Sequence, residues 1–157
     1  MTLSENCIAE LANAERFFNT STKELTEDMS AFTPAEGMMT AAQQVAHNAQ
    51  VIDWFMEGAF RPEGFDMDFD GQTARVSKVT SLAAAREWFA KSIGDAKALL
   101  GSKSDGELMS PLADGPIMGG APRMAIMSAI TDHTAHHRGA LTVYTRLQGK
   151  VPPMPYM

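Results

Sequence analysis

The stretch from Arg123 to Gln148 most constrains the fold, because it predicts one long helix. It holds no proline and a single glycine, Gly139. Pro122 suits a first helical turn, where its missing N–H would have no intrahelical partner. Gly149 stands where a left-handed C-cap is expected, and the prolines beyond it prevent continuation. A helix of this length is stabilised mainly by burying one face against other helices.

Steps of three and four residues predict which face of this helix is buried. Positions i and i+4 share a face, with Cβ atoms about 5–6 Å apart, so His133 and His137 point inward together and can converge on one cation. His136 is turned about 60° away from His133, which makes it a neighbour of the site rather than a ligand. The predicted buried stripe consists of Ile126, Ile130, His133, His137, Leu141, Tyr144 and Gln148.

Composition limits the class of protein. A length of 157 residues predicts a single domain over 1–157 with a core of its own. The net charge of -6 argues against a nucleic-acid partner. The N-terminus lacks the features of a signal peptide, and no run approaches the ~20 apolar residues of a membrane span. We therefore expect a cytoplasmic protein without membrane contact, in which the lone Cys7 forms no internal disulfide.

Three further helices are predicted from the helical repeat, at about residues 3–26, 40–57 and 81–100. Thr40 and Gln43 have the spacing of a capping box. The second helix is apolar around most of its circumference, so it either lies centrally or forms part of a subunit interface. Four long helices with long connections predict an all-α fold, a four-helix bundle.

Two long connections separate these helices, at about residues 60–79 and 103–121. The first is expected to be a solvated, irregular loop that lies over a pocket. Asp66, Asp68 and Asp70 alternate as in a calcium loop, but no glutamate closes the EF-hand pattern, so calcium is the weaker interpretation. A short strand is a further alternative there. The proline-rich tail after Val151 is expected to be extended.

The third ligand decides whether the two histidines form a metal site. Thr134 stands where a zinc metallopeptidase helix would carry its general base, which argues against a peptidase. His47 is the only other histidine, and it lies mid-helix on the apolar side. Burying three imidazoles without hydrogen-bond partners costs several kcal/mol of free energy. A shared divalent cation removes that cost. His47, His133 and His137 are thus a candidate metal site, with satisfied core histidines as the alternative.

Two motifs resemble those of the DinB/YfiT-like superfamily. They are Asp132–Gly139 on the last helix and Ala42–His47, followed by Trp54, on the second. The resemblance covers essentially the whole chain and implies an up-down-down-up four-helix bundle, commonly a homodimer. It also implies a divalent metal, often nickel or zinc, on His47, His133 and His137. Water or substrate would fill the remaining coordination positions, as in catalytic sites.

The function implied by this resemblance is a divalent-metal-dependent enzyme acting on a small molecule. Some relatives transfer low-molecular-weight thiols or are mycothiol-dependent isomerases, and others are described as metal-dependent hydrolases. A hydrolase or a thiol transferase, with a low-molecular-weight thiol as a possible second cofactor, is therefore the leading interpretation. The alternatives are a non-catalytic metal-binding bundle and a dimeric interaction module with a stress-response role.

Other polar residues near the motifs are weaker candidates. Asp132 and His136 could orient a ligand or move a proton, but solvation and helix packing are the favoured interpretations, because neither shares the stripe of the paired histidines. Arg138 and Arg146 are expected to face solvent or a partner. Cys7 is a poor candidate nucleophile, since nothing near it in sequence would lower its pKa.

Overall fold

The computed structural model describes residues 1–156, and within this range the regular secondary structure is helical. Short 3-10 turns at Glu27–Met29 and Arg123–Ala125 precede two of the long helices. An isolated bridge pairs Pro111 with Pro122. The six α-helices are α1 (Leu3–Thr22), α2 (Ala41–Phe60), α3 (Phe69–Ser77), α4 (Leu82–Gly101), α5 (Asp105–Met109) and α6 (Ile126–Leu147).

Side-chain caps fix where the long helices begin. Thr2 caps α1 in a reciprocal capping box with Glu5. Thr40 and Gln43 form the same arrangement at the start of α2, which confirms the predicted capping box. The Ser81 hydroxyl accepts a hydrogen bond from the backbone N–H of Ala84 at the start of α4. Each cap satisfies an N–H that would otherwise have no helical partner.

Helices α1 and α4 run antiparallel. The Ser4 hydroxyl, at the start of α1, donates to the Leu100 carbonyl at the end of α4 over 2.6 Å. At the opposite end, the Arg86 guanidinium donates to the Thr22 carbonyl over 2.6 Å. The first helix thus begins where α4 ends.

Helices α2 and α4 run parallel, because one residue contacts the start of both. The Ser30 carbonyl accepts from Ala42 N–H over 3.1 Å. The Ser30 hydroxyl accepts from Leu82 N–H over 2.9 Å. Helix α6 runs opposite to α2, since the Tyr144 hydroxyl, near the end of α6, donates to the Met39 carbonyl just before α2. These directions give the up-down-down-up order that the family resemblance implied.

The core lies where the apolar faces of the four long helices meet. Helices α1 and α2 each pack against both α4 and α6, so α1 and α2 are diagonal. The Phe18 and Phe89 rings, from α1 and α4, lie 4.6 Å apart between centroids. Helix α2 additionally contacts α3, which accounts for part of its broad apolar surface. Other fully buried core side chains are Leu11, Ile52, Leu82, Ile93, Leu100, Ile126, Ile130 and Leu141.

The prediction of an irregular loop at residues 60–79 is wrong for its second half, which forms α3. The Asp68 carboxylate caps this helix by accepting from Gly71 N–H over 2.9 Å. The Asp66 carboxylate accepts from Asp68 N–H over 3.0 Å. Two of the alternating aspartates therefore make local backbone hydrogen bonds, as short polar side chains commonly do near helix starts. Ser104 similarly caps the short α5 inside the second connection.

The predicted ends of the first and last helices also need correction. Helix α1 ends at Thr22 rather than near residue 26. The Arg86 guanidinium donates to the Thr22 and Leu25 carbonyls there, replacing the next helical turn. The last helix starts with a 3-10 turn, and α6 proper begins at Ile126. Gly149 adopts φ 76° just after α6, as predicted. Within residues 1–156, no helix is long and apolar enough to cross a membrane.

Candidate metal centre

Three histidines meet between α2 and α6. The Nε2 atoms of His133 and His47 lie 3.3 Å apart. The Nε2 atoms of His137 and His133 lie 3.1 Å apart. One ring nitrogen from each residue falls within 4.8 Å of the others. The structure thus brings together the three residues predicted from sequence, in a cluster that can hold a metal ion.

The helix spacing accounts for this convergence. His133 and His137 are one turn apart on α6, and their ring centroids are 4.4 Å apart. His47 comes from the facing side of α2, edge-on to both rings, with centroid distances of 5.0 Å to His133 and 4.9 Å to His137. His137 is buried, whereas His47 and His133 are half-buried. The cluster therefore lies at the edge of the core and retains contact with solvent.

Side-chain amides of α2 contact the other ring nitrogens of the α6 histidines. His137 Nδ1 is hydrogen-bonded to Gln44 Oε1. His133 Nδ1 lies 3.3 Å from Asn48 Oδ1. An amide oxygen only accepts hydrogen bonds, so each Nδ1 must carry the proton and each Nε2 must present its lone pair. This is the tautomer in which Nε2 can ligate a metal.

The Asn48 amide is fully buried and incompletely satisfied. Its oxygen also accepts from the Thr134 hydroxyl over 3.3 Å, while its Nδ2 has no hydrogen-bond partner. His133 Nδ1 and the Thr134 hydroxyl both face this oxygen. Together they fix the amide orientation in which the oxygen accepts from His133. Thr134, the residue that excludes the metallopeptidase motif, thus belongs to the polar contacts that surround the cluster.

His47 has a buried amide three residues away on its own helix. Gln50 Nε2 donates to Gln72 Oε1 on α3 over 2.9 Å. Gln72 Nε2 in turn donates to the Asp66 carbonyl over 3.1 Å. The connection at residues 60–79 therefore contacts α2 at Gln50, three residues from His47.

All three imidazoles are held in their neutral forms. Burial, reinforced by neighbouring histidines, lowers the pKa of His137 to about 3. Burial and the proximity of His47 and His136 lower the pKa of His133 to about 4. Burial also lowers the pKa of His47, although the polar side chain of nearby Gln50 opposes the shift. Deprotonated imidazole is the form that binds metals.

The remaining candidates lie outside the cluster. Asp132 and His136 are exposed, and the His136 ring contacts His137 edge-on at 5.0 Å without joining the converging nitrogens. The Arg138 guanidinium lies over the Phe17 ring, 5.7 Å from its centroid. Cys7 is buried, and burial raises the pKa of its thiol, which fits its rejection as a nucleophile.

The cavity of about 560 Å³ between α1 and α6 is separate from the histidines. Its walls include Phe17, Met127 and Arg138, and Thr134 is the one residue that connects it to the histidine surroundings. Among residues 1–156, the group of side chains able to hold a metal ion is the histidine cluster, which lies outside this cavity.

The supporting amides were not predicted from the sequence. Gln50 is buried under α3. Gln44 and Asn48, which flank His47 and are four residues apart, were not singled out. The signal that could have found them is that spacing: two carboxamides one turn apart beside an inward histidine indicate polar groups that a buried partner must satisfy.

Comparison with protein families agrees with this geometry. The DinB family model matches residues 2–157. The chain belongs to the DinB family. This membership confirms the resemblance stated from the two histidine motifs, and it is compatible with metal binding by the three histidines. No curated protein matches the sequence.

Solved structures with this fold have low sequence identity to the chain. A protein from Streptococcus pneumoniae is 12% identical, with a TM-score of 0.72 over 93% of this chain and 91% of that one. A DinB-like protein from Bacillus subtilis is 18% identical, with a TM-score of 0.65 over 94% and 96%. A DinB-like protein from Bacillus cereus is 20% identical, with a TM-score of 0.67 over 92% and 89%. These similarities support the fold of this DinB-family member.

Proposed function

We propose that this DinB-family protein binds a divalent metal ion through His47, His133 and His137 and uses it as an enzyme on a small molecule. The reaction is of the hydrolase or the low-molecular-weight-thiol transferase type. Nickel and zinc are the proposed metals, because imidazole ligands suit both.

The single observation that supports this proposal is the orientation of the ring nitrogens. His133 Nε2 lies 3.1 Å from His137 Nε2 and 3.3 Å from His47 Nε2. Amide oxygens of Gln44 and Asn48 face the opposite nitrogens of the α6 rings. Lone pairs that point at one another repel unless a cation lies among them, so this donor set fits a metal ion.

The chemistry follows from the number of protein ligands. Three histidines leave coordination positions for water or substrate, and a bound divalent ion lowers the pKa of a coordinated water or thiol to near neutrality. The chain itself contributes neutral imidazoles and amide acceptors that orient them. Half-burial of His47 and His133 keeps one side of the cluster accessible to a small molecule.

A non-catalytic metal site is the second candidate. The three histidines join α2 to α6, and a cation there would hold the two helices together. The cavity of about 560 Å³ lies on the α1 side of α6, away from the histidines. A purely structural ion would have a closed coordination shell, and its removal would destabilise the fold.

Metal content distinguishes these proposals from packed core histidines. The experiment is plasma mass spectrometry on tag-free protein, comparing wild type with His47→Ala and with His136→Ala as the matched control. We expect about one metal per chain in wild type and in the control, as for a three-histidine site, and little metal in His47→Ala. Wild type that neither carries nor takes up metal at micromolar supply contradicts the proposal.

Activity assays then separate enzyme from structural site. Metal-loaded wild type is tested for ester or amide hydrolysis and for thiol transfer to electrophiles, with metal-loaded His136→Ala as the control. Turnover that disappears in His47→Ala supports the enzyme. Metal binding with global unfolding on chelation and no turnover favours the structural ion.

The homodimer implied by the family resemblance is part of the same proposal. Its support is a set of apolar side chains left exposed at the end of α6 and in the tail, including Val143, Leu147 and Val151. Light scattering on wild type and Leu147→Glu tests it, because a charge on a buried dimer face should shift the protein to monomer.

A further inference from the structure

We infer that Tyr144 and Gln44 form a hydrogen-bond relay that decides which nitrogen of His137 carries the proton. The relay makes both of them positioning residues for that histidine. Its value for metal binding rests on the proposed function, whereas the relay itself is a property of the chain and can be measured without metal.

The direction of the relay is set at its far end. The Met39 carbonyl can only accept, and the Tyr144 hydroxyl donates to it over 2.8 Å. A tyrosine hydroxyl has one proton, so its oxygen must accept any further hydrogen bond. Gln44 lies 3.3 Å from that oxygen and must therefore present its Nε2 there.

The near end of the relay follows by elimination. With Nε2 of Gln44 turned to Tyr144, its Oε1 faces His137 Nδ1. That oxygen accepts only, so Nδ1 donates, and a neutral imidazole then has its lone pair on Nε2. This lone pair points toward His133 Nε2, 3.1 Å away.

Burial keeps water from substituting for any member of the relay. Tyr144 is 1% exposed, and Gln44 and His137 are each 8% exposed. The members come from three places in the chain: the segment before α2, α2 itself and α6. Reversing one amide would leave buried groups unsatisfied, which costs about 1–3 kcal/mol per group.

A second chain of amides starts at Gln50, three residues after His47, and ends on a different carbonyl. Gln50 Nε2 donates to Gln72, whose own Nε2 donates to the Asp66 carbonyl. The amide that faces His133 is oriented differently: Asn48 is held at its oxygen by the Thr134 hydroxyl, and its Nδ2 has no acceptor. His137 is thus the α6 histidine whose partner amide is oriented by a buried acceptor at the far end of a chain.

The first test removes one hydroxyl. In Tyr144→Phe, Gln44 loses the acceptor for its Nε2, so its amide is free to rotate and His137 should populate both tautomers. Long-range ¹H–¹⁵N spectra of the imidazoles of metal-free protein report the tautomer directly. Thr145→Val is the matched control, since it removes a neighbouring fully buried hydroxyl that donates to the Leu141 carbonyl instead.

The second test changes the amide. Gln44→Met removes the acceptor at similar size, and Gln44→Glu keeps an acceptor for His137 Nδ1. We expect Gln44→Met to weaken zinc affinity, measured by competition with a chromogenic chelator, by about 10–100-fold. Gln44→Glu should retain the Nδ1–H tautomer of wild type. Circular dichroism establishes that each variant is folded before it is compared.

The outcomes separate the relay from the metal proposal. The relay is overturned if His137 in wild type is the Nε2–H tautomer. It is also overturned if Tyr144→Phe and Gln44→Met are both folded and both keep the wild-type tautomer. If wild type binds neither zinc nor nickel but its Nδ1–H tautomer depends on Tyr144, the relay stands and the proposed function fails. Only the relay fails if zinc binds but the His137 tautomer is the same in Tyr144→Phe, in Gln44→Met and in the control Thr145→Val.

Discussion

The Nε2 atoms of His133 and His137 lie 3.1 Å apart on successive turns of α6. Burial lowers the pKa of both rings far below neutrality, so proton sharing does not relieve this contact near pH 7. This contact supports the proposed binding of a cation by the cluster. We therefore expect the stability of the metal-free protein to respond to metal supply and to acid.

Metal should stabilise the fold through these histidines. A ligand that binds only the folded state at 100 times its Kd adds about 2.7 kcal/mol to the free energy of unfolding. Zinc or nickel at that excess should therefore raise the Tm of wild type in calorimetry, and chelator should reverse the shift. His137→Ala should show no shift, whereas exposed His136→Ala should respond like wild type. Equal shifts in both variants would remove His137 from the ligand set.

Acidification should destabilise the metal-free protein between about pH 6.5 and 4. The folded pKa values of His133 and His137, about 4 and about 3, lie below the ordinary value of 6.5. The unfolded chain therefore binds more protons in this window, and the free energy of unfolding falls as pH falls. Denaturant titrations at several pH values measure the slope.

Replacing the two α6 histidines provides the control for this slope. The double variant His133→Asn with His137→Asn should flatten the pH dependence above about pH 4.5, because it removes two groups that titrate only when unfolded. Carboxylates with lowered pKa values, such as Glu27 and Glu107, change the free energy of unfolding only at pH values near or below their ordinary pKa of 4.5. An unchanged slope in the double variant would assign the acid sensitivity to other groups.

Two helical glycines should respond oppositely to alanine. A Cβ at Gly58 would lie 2.3 Å from Phe65 Cδ1, and the Phe65 ring is itself packed 4.9 Å from Trp54. Gly58→Ala should therefore lower the free energy of unfolding by about 1–3 kcal/mol through overpacking. A Cβ at Gly94 meets nothing within 4 Å. Gly94→Ala should stabilise by up to about 1 kcal/mol, and denaturant unfolding of both variants checks the contrast.

Arg86 should contribute to stability through the end of α1. Its half-buried guanidinium donates to the Thr22 hydroxyl and to the Thr22 and Leu25 carbonyls. Arg86→Met removes these three hydrogen bonds at the buried end of α1 and should cost about 1–3 kcal/mol in urea unfolding. Lys91→Met on the same helix breaks an exposed ion pair with Asp95 and should change stability little. Similar losses in the two variants would contradict the capping role.

Much of the fold was predictable because the helices are marked locally. Thr40 and Gln43 cap the start of α2, and Gly149 follows the end of α6, both as predicted. Each of these caps involves only residues that are close in sequence. Helix α3 was missed since its nine residues depend on the Asp68 cap and on burial of Val76, rather than on a long apolar repeat. Short helices of this kind are stabilised by contacts that no local pattern displays.

The sequence by itself determined the long helices, the inward direction of His133 and His137, and His47 as the remaining histidine able to join them. Helical periodicity fixes which residues share a face, so these features are local. Only the tertiary structure decided that α2 and α6 place the three histidines together, and that Gln44 and Asn48 orient the two α6 rings. Those contacts join residues about 90 positions apart, and their geometry depends on helix packing that periodicity does not encode.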